Sequence, residues 1–158
     1  VMYDPEHSSI TIGDNVWMVS EEKRAGITLF SSCKLTTINK GQIKIGNNVA
    51  LNGTVITSKK NIEIGSDSMI APNVIIVDSD FHALWPPKER NKQVNDDLDK
   101  PVIIGSNVWI GMNSIVLKGV TIGNNSLIGA GSIVNSSIPE NSIAAGNPAK
   151  VIKTFYDN

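Results

Sequence analysis

The 158-residue sequence has one cysteine, Cys33, two histidines, His7 and His82, and only 5% aromatic residues. One thiol cannot close an internal disulfide, so no disulfide framework is expected and a reducing, cytoplasmic setting fits. Charge of either sign is not in excess: 14 basic residues stand against 15 acidic ones. That balance argues against a nucleic-acid partner and against a polybasic membrane surface. No uninterrupted apolar run approaches the roughly 20 residues of a membrane span, and no signal-peptide pattern is visible. The chain opens on Val1 rather than Met, which leaves open whether a segment precedes it. With 41% hydrophobic residues but few aromatics, the core has to be built from Ile, Val, Leu and Ala. The length suits one domain with a sizeable core.

What the sequence does have is a repeat. From Val102 to Ile138 a large aliphatic residue falls on every sixth position: Ile104, Ile110, Val116, Ile122, Ile128 and Val134. Glycine follows four of them, as Gly105, Gly111, Gly123 and Gly129. Four positions after each aliphatic come Val108, Ser114, Val120, Ser126, Ser132 and Ile138. A period of six fits neither a helix nor a plain alternating strand. Three hexads make an 18-residue coil, which stacks Ile104 over Ile122, Ile110 over Ile128 and Val116 over Val134. The expectation is a triangular prism with one short strand and one corner per hexad, stabilised coil upon coil. The corner positions agree. Asn48, Asp67, Asn73, Asn107, Asn113, Gly119, Asn125 and Gly131 are of the types that tolerate positive φ; Thr54 and Ser137 occupy two further corners.

Hexads begin at Ile12-Gly13 and return at Ile45-Gly46, Leu51-Asn52, Ile64-Gly65, Ile70-Ala71 and Ile76-Val77. Residues 18–44 are poorly phased, and residues 1–44 are expected to form an irregular start. Counting back in sixes from Ile45 reaches Asn39, Cys33 and Ile27, which makes Cys33 a small core residue rather than a nucleophile. Regular coils are expected over 45–77 and 102–138, with a tail over 139–158. Between them the repeat stops. Ile64 and Ile104 are 40 positions apart where 18 would do, so 22 extra residues lie between about Asp78 and Lys100. A structureless loop of that length in a compact domain is usually functional. It holds ten charged residues, Trp85-Pro86-Pro87 and His82.

The blocks Val108-Trp109-Ile110-Gly111, Gly119-Val120-Thr121-Ile122-Gly123, Ile128-Gly129-Ala130-Gly131-Ser132 and Gly146-Asn147-Pro148-Ala149-Lys150, in that order and spacing, resemble the hexapeptide-repeat acyltransferases. The likeness is strongest to galactoside and maltose acetyltransferases and to O-acetyltransferases of bacterial polysaccharides. The resemblance implies an all-β, left-handed parallel β-helix, three strands to each coil. That hand runs against the usual crossover rule and does not follow from periodicity. The resemblance also implies acetyl-CoA as acyl donor and a homotrimer with active sites between subunits.

Acyl transfer to a hydroxyl or amine needs a base for the acceptor proton, a site that fixes the thioester, and donors for the oxyanion. Imidazole, with an unperturbed pKa of about 6.5, suits the first task. His82, at the mouth of the insertion, is the candidate, and the resemblance points to the same residue. A carboxylate or a backbone carbonyl on its other nitrogen would fix the tautomer; Asp78 and Asp80 are both near, Asp78 beside the rigid coil. His7 reads as a solvent-exposed histidine. For the donor, Gly111, Gly129, Ala130 and Gly131 offer small side chains on adjacent coils, although the same residues also suit tight corners. The resemblance adds Trp109 near the pantetheine arm, Asn135 and Ser136 in the CoA groove with Ala130, and Lys150 and Lys153 toward the 3′-phosphate. Relatives often carry Thr-Lys where this chain has Asn135-Ser136, and commonly a serine where it has Met112, so the oxyanion contact at Met112 falls to a backbone N–H. Asn52 and Trp85 are candidates for the acceptor side.

The expected function is therefore transfer of acetyl from acetyl-CoA to a saccharide hydroxyl, directly and without a covalent acyl-enzyme, since Cys33 is misplaced for one. The alternatives are N-acetyl transfer to an amino or nucleotide sugar, and a non-catalytic β-helix module. The zinc-dependent carbonic anhydrase of the same fold needs three histidines; this chain has two, so no metal is expected.

Overall fold

A computed structural model describes residues 8–91 and 98–156; His7 lies outside them. Among the described residues, seventeen short strands form three sheets that make the faces of a prism. The first sheet runs β1 (Ser9–Ile12), β4 (Gln42–Ile45), β7 (Ile62–Ile64), β10 (Val102–Ile104) and β13 (Thr121–Ile122). The second runs β2 (Trp17–Val19), β5 (Ala50–Asn52), β8 (Met69–Ile70), β11 (Trp109–Ile110), β14 (Leu127–Ile128), β16 (Ser142–Gly146) and β17 (Ala149–Thr154). The third holds β3 (Lys34–Thr37), β6 (Val55–Ser58), β9 (Ile75–Val77), β12 (Ile115–Val116) and β15 (Ile133–Val134). All neighbours pair in parallel except β16 with β17, an antiparallel hairpin that closes the stack.

The registers are those the period of six predicts. Ile104 pairs with Ile122, Ile110 with Ile128 and Val116 with Val134. Ile64 pairs directly with Ile104, so the whole excess between them is looped out. The hexad aliphatics from Ile45 to Val134 and Val108, Ser114, Val120, Ser126, Ser132 and Ile138 are all buried, whereas Ile12 in the first coil is exposed. Buried serines need partners, and they find them in neighbouring coils: Ser114 Oγ donates to the Gly129 carbonyl, and Ser126 Oγ to the Pro139 carbonyl.

Two departures from expectation concern the ends. The first coil is not irregular: β1, β2 and β3 pair with β4, β5 and β6 in register. The count in sixes fails because a segment over 20–33, including helix α1 (Glu22–Ala25), is inserted between β2 and β3. Leu35, not Cys33, takes the inward position opposite Ile56, and Asn39 is a corner with φ of 55°. Cys33 is half-buried against the core, its Sγ donating toward the carbonyls of Val19 and Leu51. The tail expected over 139–158 continues the stack over 142–154: β16 adds one more strand to the second sheet before the hairpin turns back.

The three edges of the prism differ. Where the first sheet turns into the second, Asn15, Asn48, Asp67, Asn107, Asn125 and Asn141 all have positive φ. Their side chains bond coil to coil, as in Asn48 Nδ2 to Asp67 Oδ1 at 2.9 Å and Asn125 Nδ2 to Asn141 Oδ1 at 2.9 Å. The edge from second to third sheet carries the 20–33 segment. The edge from third back to first carries the long insertion. Among the described residues, no helix is long and apolar enough to cross a membrane.

Candidate active site

The long insertion leaves β9 at Asp78 and rejoins β10 at Pro101. Asp78 is fully buried and accepts three hydrogen bonds: from Ser58 Oγ at 2.7 Å, Lys59 N at 2.8 Å and Lys60 N at 2.9 Å. Both of its oxygens are thereby spent on the preceding coil. Asp80 is ion-paired to Lys118, which projects from the next coil along the same edge. Ser79 Oγ accepts from Phe81 N at 2.9 Å, and Phe81 has φ of 61°. A bulky residue in that region is a strained turn. It presents His82, which is exposed.

The partner of His82 Nδ1 is the Arg90 carbonyl, 2.9 Å away across the loop. The orienting group is thus a backbone carbonyl, and neither Asp78 nor Asp80 fills that role. A carbonyl only accepts, so this hydrogen bond calls for the proton on Nδ1, and in the neutral ring Nε2 then carries the lone pair. Between His82 and Arg90 the loop carries Trp85, 79% exposed, and a 3₁₀ turn over Pro87–Glu89.

The donor-side candidates divide. Gly111, Met112, Gly129, Ala130 and Gly131 lie between β11 and β12 or β14 and β15, on the edge from second to third sheet. Asn52 ends β5 on that same edge, its Nδ2 3.5 Å from the Ile70 carbonyl. Asn135 and Ser136 follow β15, and so share the edge of His82 instead. The groove expected from Ala130, Asn135 and Ser136 together is therefore not assembled within one chain; the third sheet separates its two halves. Met112, Ala130 and Gly131 are exposed. Gly111 is buried, and a Cβ there would stand 2.5 Å from Ala130 N. Its smallness serves coil stacking, whereas Gly131, with φ of 70° and no atom within 4 Å of a would-be Cβ, faces open space.

Trp109, 49% exposed, stands on the outer face of the second sheet between Met69 and Leu127. Lys150 and Lys153 are exposed on β17, which lines the same sheet at its C-terminal end. Lys153 Nζ lies 4.5 Å from the Phe155 ring centroid. The sequence reading missed Lys118, Arg90 and the buried Lys59–Asp99 ion pair beneath the loop. Lys118 could have been found, since it lies at a loop-bearing corner 18 positions before Ser136. A carbonyl partner and a pair 40 residues apart leave no local signal.

Residues 101–136 match the family described as bacterial transferase hexapeptide, six repeats. Over 99 residues the chain is 50% identical to the polysialic acid O-acetyltransferase of Escherichia coli O1:K1, covering 63% of this chain and 31% of that protein. It is 40% identical over 117 residues to the galactoside O-acetyltransferase of Escherichia coli K12, covering 73% of this chain and 55% of that protein. A solved galactoside acetyltransferase in complex with coenzyme A superposes with a TM-score of 0.71 at 33% identity, covering 94% of this chain and 66% of the other. The chain thus spans from about a third to two thirds of the length of these relatives. The superposition agrees with the left-handed parallel β-helix expected from the sequence.

Proposed function

We propose, from the premise that this chain belongs to the hexapeptide-repeat family, that it transfers an acetyl group from acetyl-CoA to a hydroxyl of a saccharide. The observation that carries the reading is the 2.9 Å contact of His82 Nδ1 with the Arg90 carbonyl: an acceptor there calls for the proton on Nδ1, so the neutral, exposed imidazole would offer Nε2 as a base. Nε2 takes the proton of the acceptor hydroxyl as its oxygen attacks the thioester carbonyl carbon. The C–O bond forms, the carbonyl becomes an oxyanion held by backbone N–H groups, and the intermediate collapses with loss of the CoA thiolate. That thiolate takes the proton from the imidazolium, which restores the neutral base. No acyl-enzyme is formed. Trp85 and Asn52 contact the acceptor in this reading, and Lys150 and Lys153 the 3′-phosphate of CoA. Use of acetyl-CoA fits a cytoplasmic location.

A homotrimer accounts for the division of the site between two edges. The outer face of the third sheet carries Val55, Ile75, Ile115 and Ile133 in register across four strands. The first sheet instead shows Thr11, Lys44, Glu63, Ile103 and Thr121; the second, with Trp17, Ala50, Met69, Trp109 and Leu127, is apolar too but does not lie between the two edges that carry the site. Turning the apolar third faces toward a common threefold axis sets the Gly111–Ala130 edge of one copy beside the His82 edge of the next. Ring closure of this heterologous kind is a usual form of homo-oligomer.

The test is a thiol-release assay with acetyl-CoA against a panel of neutral, acidic and amino sugars, free and polymeric. Acceptor-dependent CoA release that disappears in His82→Ala is expected. Release confined to amino sugars would replace O-transfer by N-transfer, and no CoA binding by titration calorimetry would leave a non-catalytic module.

A further inference from the structure

A buried ion pair lies beneath the loop. Lys59 Nζ and Asp99 Oδ2 are 3.1 Å apart, with side chains 1% and 4% exposed. Lys59 follows β6; Asp99 ends the insertion. They sit at ion-pair distance without hydrogen-bond alignment at Oδ2. A buried pair of this kind is a poor source of net stability, because desolvation offsets most of the attraction. Its position gives it another use.

Several of the bonds that close the neck of the insertion converge here. Asp78, at the exit, is bound by Ser58 Oγ, Lys59 N and Lys60 N. Its own carbonyl accepts from Lys100 N at 3.1 Å, which ties exit to re-entry. Lys60 Nζ reaches the Asp99 carbonyl at 3.3 Å, and the Lys59–Asp99 pair spans the same gap from inside. The residues 58–60 of the coil below thus hold both ends of the loop. Three residues beyond Asp78 comes Phe81 in its left-handed turn, and then His82. A strained turn persists only where its surroundings over-determine it.

We propose that Asp78, Lys59 and Asp99 form a buried clamp that fixes the Phe81 turn and so the direction of the His82 ring. They are positioning residues that never meet substrate. The proposal rests on the reading of His82 as the base. It differs from direct orientation by a carboxylate: Asp78 acts on the imidazole through three residues of backbone, and Asp99 through the neck.

The test uses the full chain. Asp78→Asn keeps the shape but turns a donor toward Lys60 N. Ser58→Ala removes only the 2.7 Å bond to Asp78 and is the milder variant. In both, kcat should fall, by up to about 10²-fold in Asp78→Asn and by less in Ser58→Ala, while the KM for acetyl-CoA stays within about twofold. The ring Nδ1–H resonance of His82, expected in ¹H–¹⁵N spectra of the wild type from its bond to the Arg90 carbonyl, should broaden or vanish in step. Unchanged kcat and an intact resonance in folded Asp78→Asn overturn the clamp. So does an unfolded Asp78→Asn beside a folded Ser58→Ala with wild-type kcat and resonance, since the cluster then holds only the fold. His82→Ala keeps the two readings apart: normal turnover in that variant overturns the base assignment, whereas the His82 resonance in Asp78→Asn and Ser58→Ala still reports on the clamp.

Discussion

His82 Nδ1 lies 2.9 Å from the carbonyl oxygen of Arg90, eight residues on in the same loop. The imidazole ring is therefore oriented by the backbone that folds around it. Replacing His82 with Ala should lower kcat by roughly 10²-fold or more, the scale of a lost general base. The side chain is exposed, so far-UV circular dichroism and melting temperature should be unchanged. Wild-type turnover would remove His82 from the chemistry.

Two glycines of the same edge should behave differently. At Gly111 a methyl group would meet Ala130 N at 2.5 Å and the Ile128 carbonyl at 2.8 Å. Gly111→Ala has to push two coils apart, and should cost more than about 1–3 kcal/mol by the overpacking scale. At Gly131 the new methyl group meets nothing, and only the positive φ resists it; Gly131→Ala should cost about 1 kcal/mol. Urea midpoints of the two variants give the order, and a smaller loss at Gly111 would contradict the close stacking.

Lys150 and Lys153 lie on β17 in the hairpin that ends the stack. Replacing both with Ala should raise the KM for acetyl-CoA and leave that for acetyl-dephospho-CoA unaltered, because a lysine acts on phosphate as a point charge. Equal effects on both donors would show that the pair does not read the 3′-phosphate.

On the polar first sheet, the Asn61 side chain donates to Glu63, and Lys44 pairs with it at 3.1 Å. These contacts, Asn61 first, hold the Glu63 carboxyl below its ordinary value. A carboxyl with a depressed folded-state pKa contributes stability above its unfolded-state pKa and loses it as pH falls through the folded one. Glu63 is 38% exposed, so the contribution is at the small end for a surface pair, under about 1 kcal/mol. Glu63→Gln should melt slightly below the wild type at neutral pH, and the gap should close as acid takes the pH down through the depressed folded-state value. A gap that widens in acid would contradict the sign.

The stacking of Ile104 on Ile122 and of Ile64 on Ile104 is plain in the spacing, because coil length is constant and each inward position demands an aliphatic. The first coil was hidden because the 20–33 segment shifts its phase: fifteen positions separate Val19 from Lys34 where the next coil uses three from Asn52 to Val55. The division of the donor residues was legible and overlooked. Gly111 and Gly129 are 18 apart and share an edge, whereas Asn135 is six beyond Gly129 and falls on the next. The partners of the buried charges could not be read. Lys59 meets Asp99 only because the insertion returns to the coil it left, a distance in space that no period encodes.

The central claim is that His82 of one copy works on a donor held at the Ala130 edge of another. Subunit complementation tests it most directly. His82→Ala and Ala130→Trp each remove one half of the site and should each be inactive as homotrimers. Co-expressed and purified as mixed assemblies by two different tags, they should recover activity, because some interfaces then join an intact His82 to an intact Ala130 edge. Mixed assemblies as inactive as either parent would contradict a site shared between subunits.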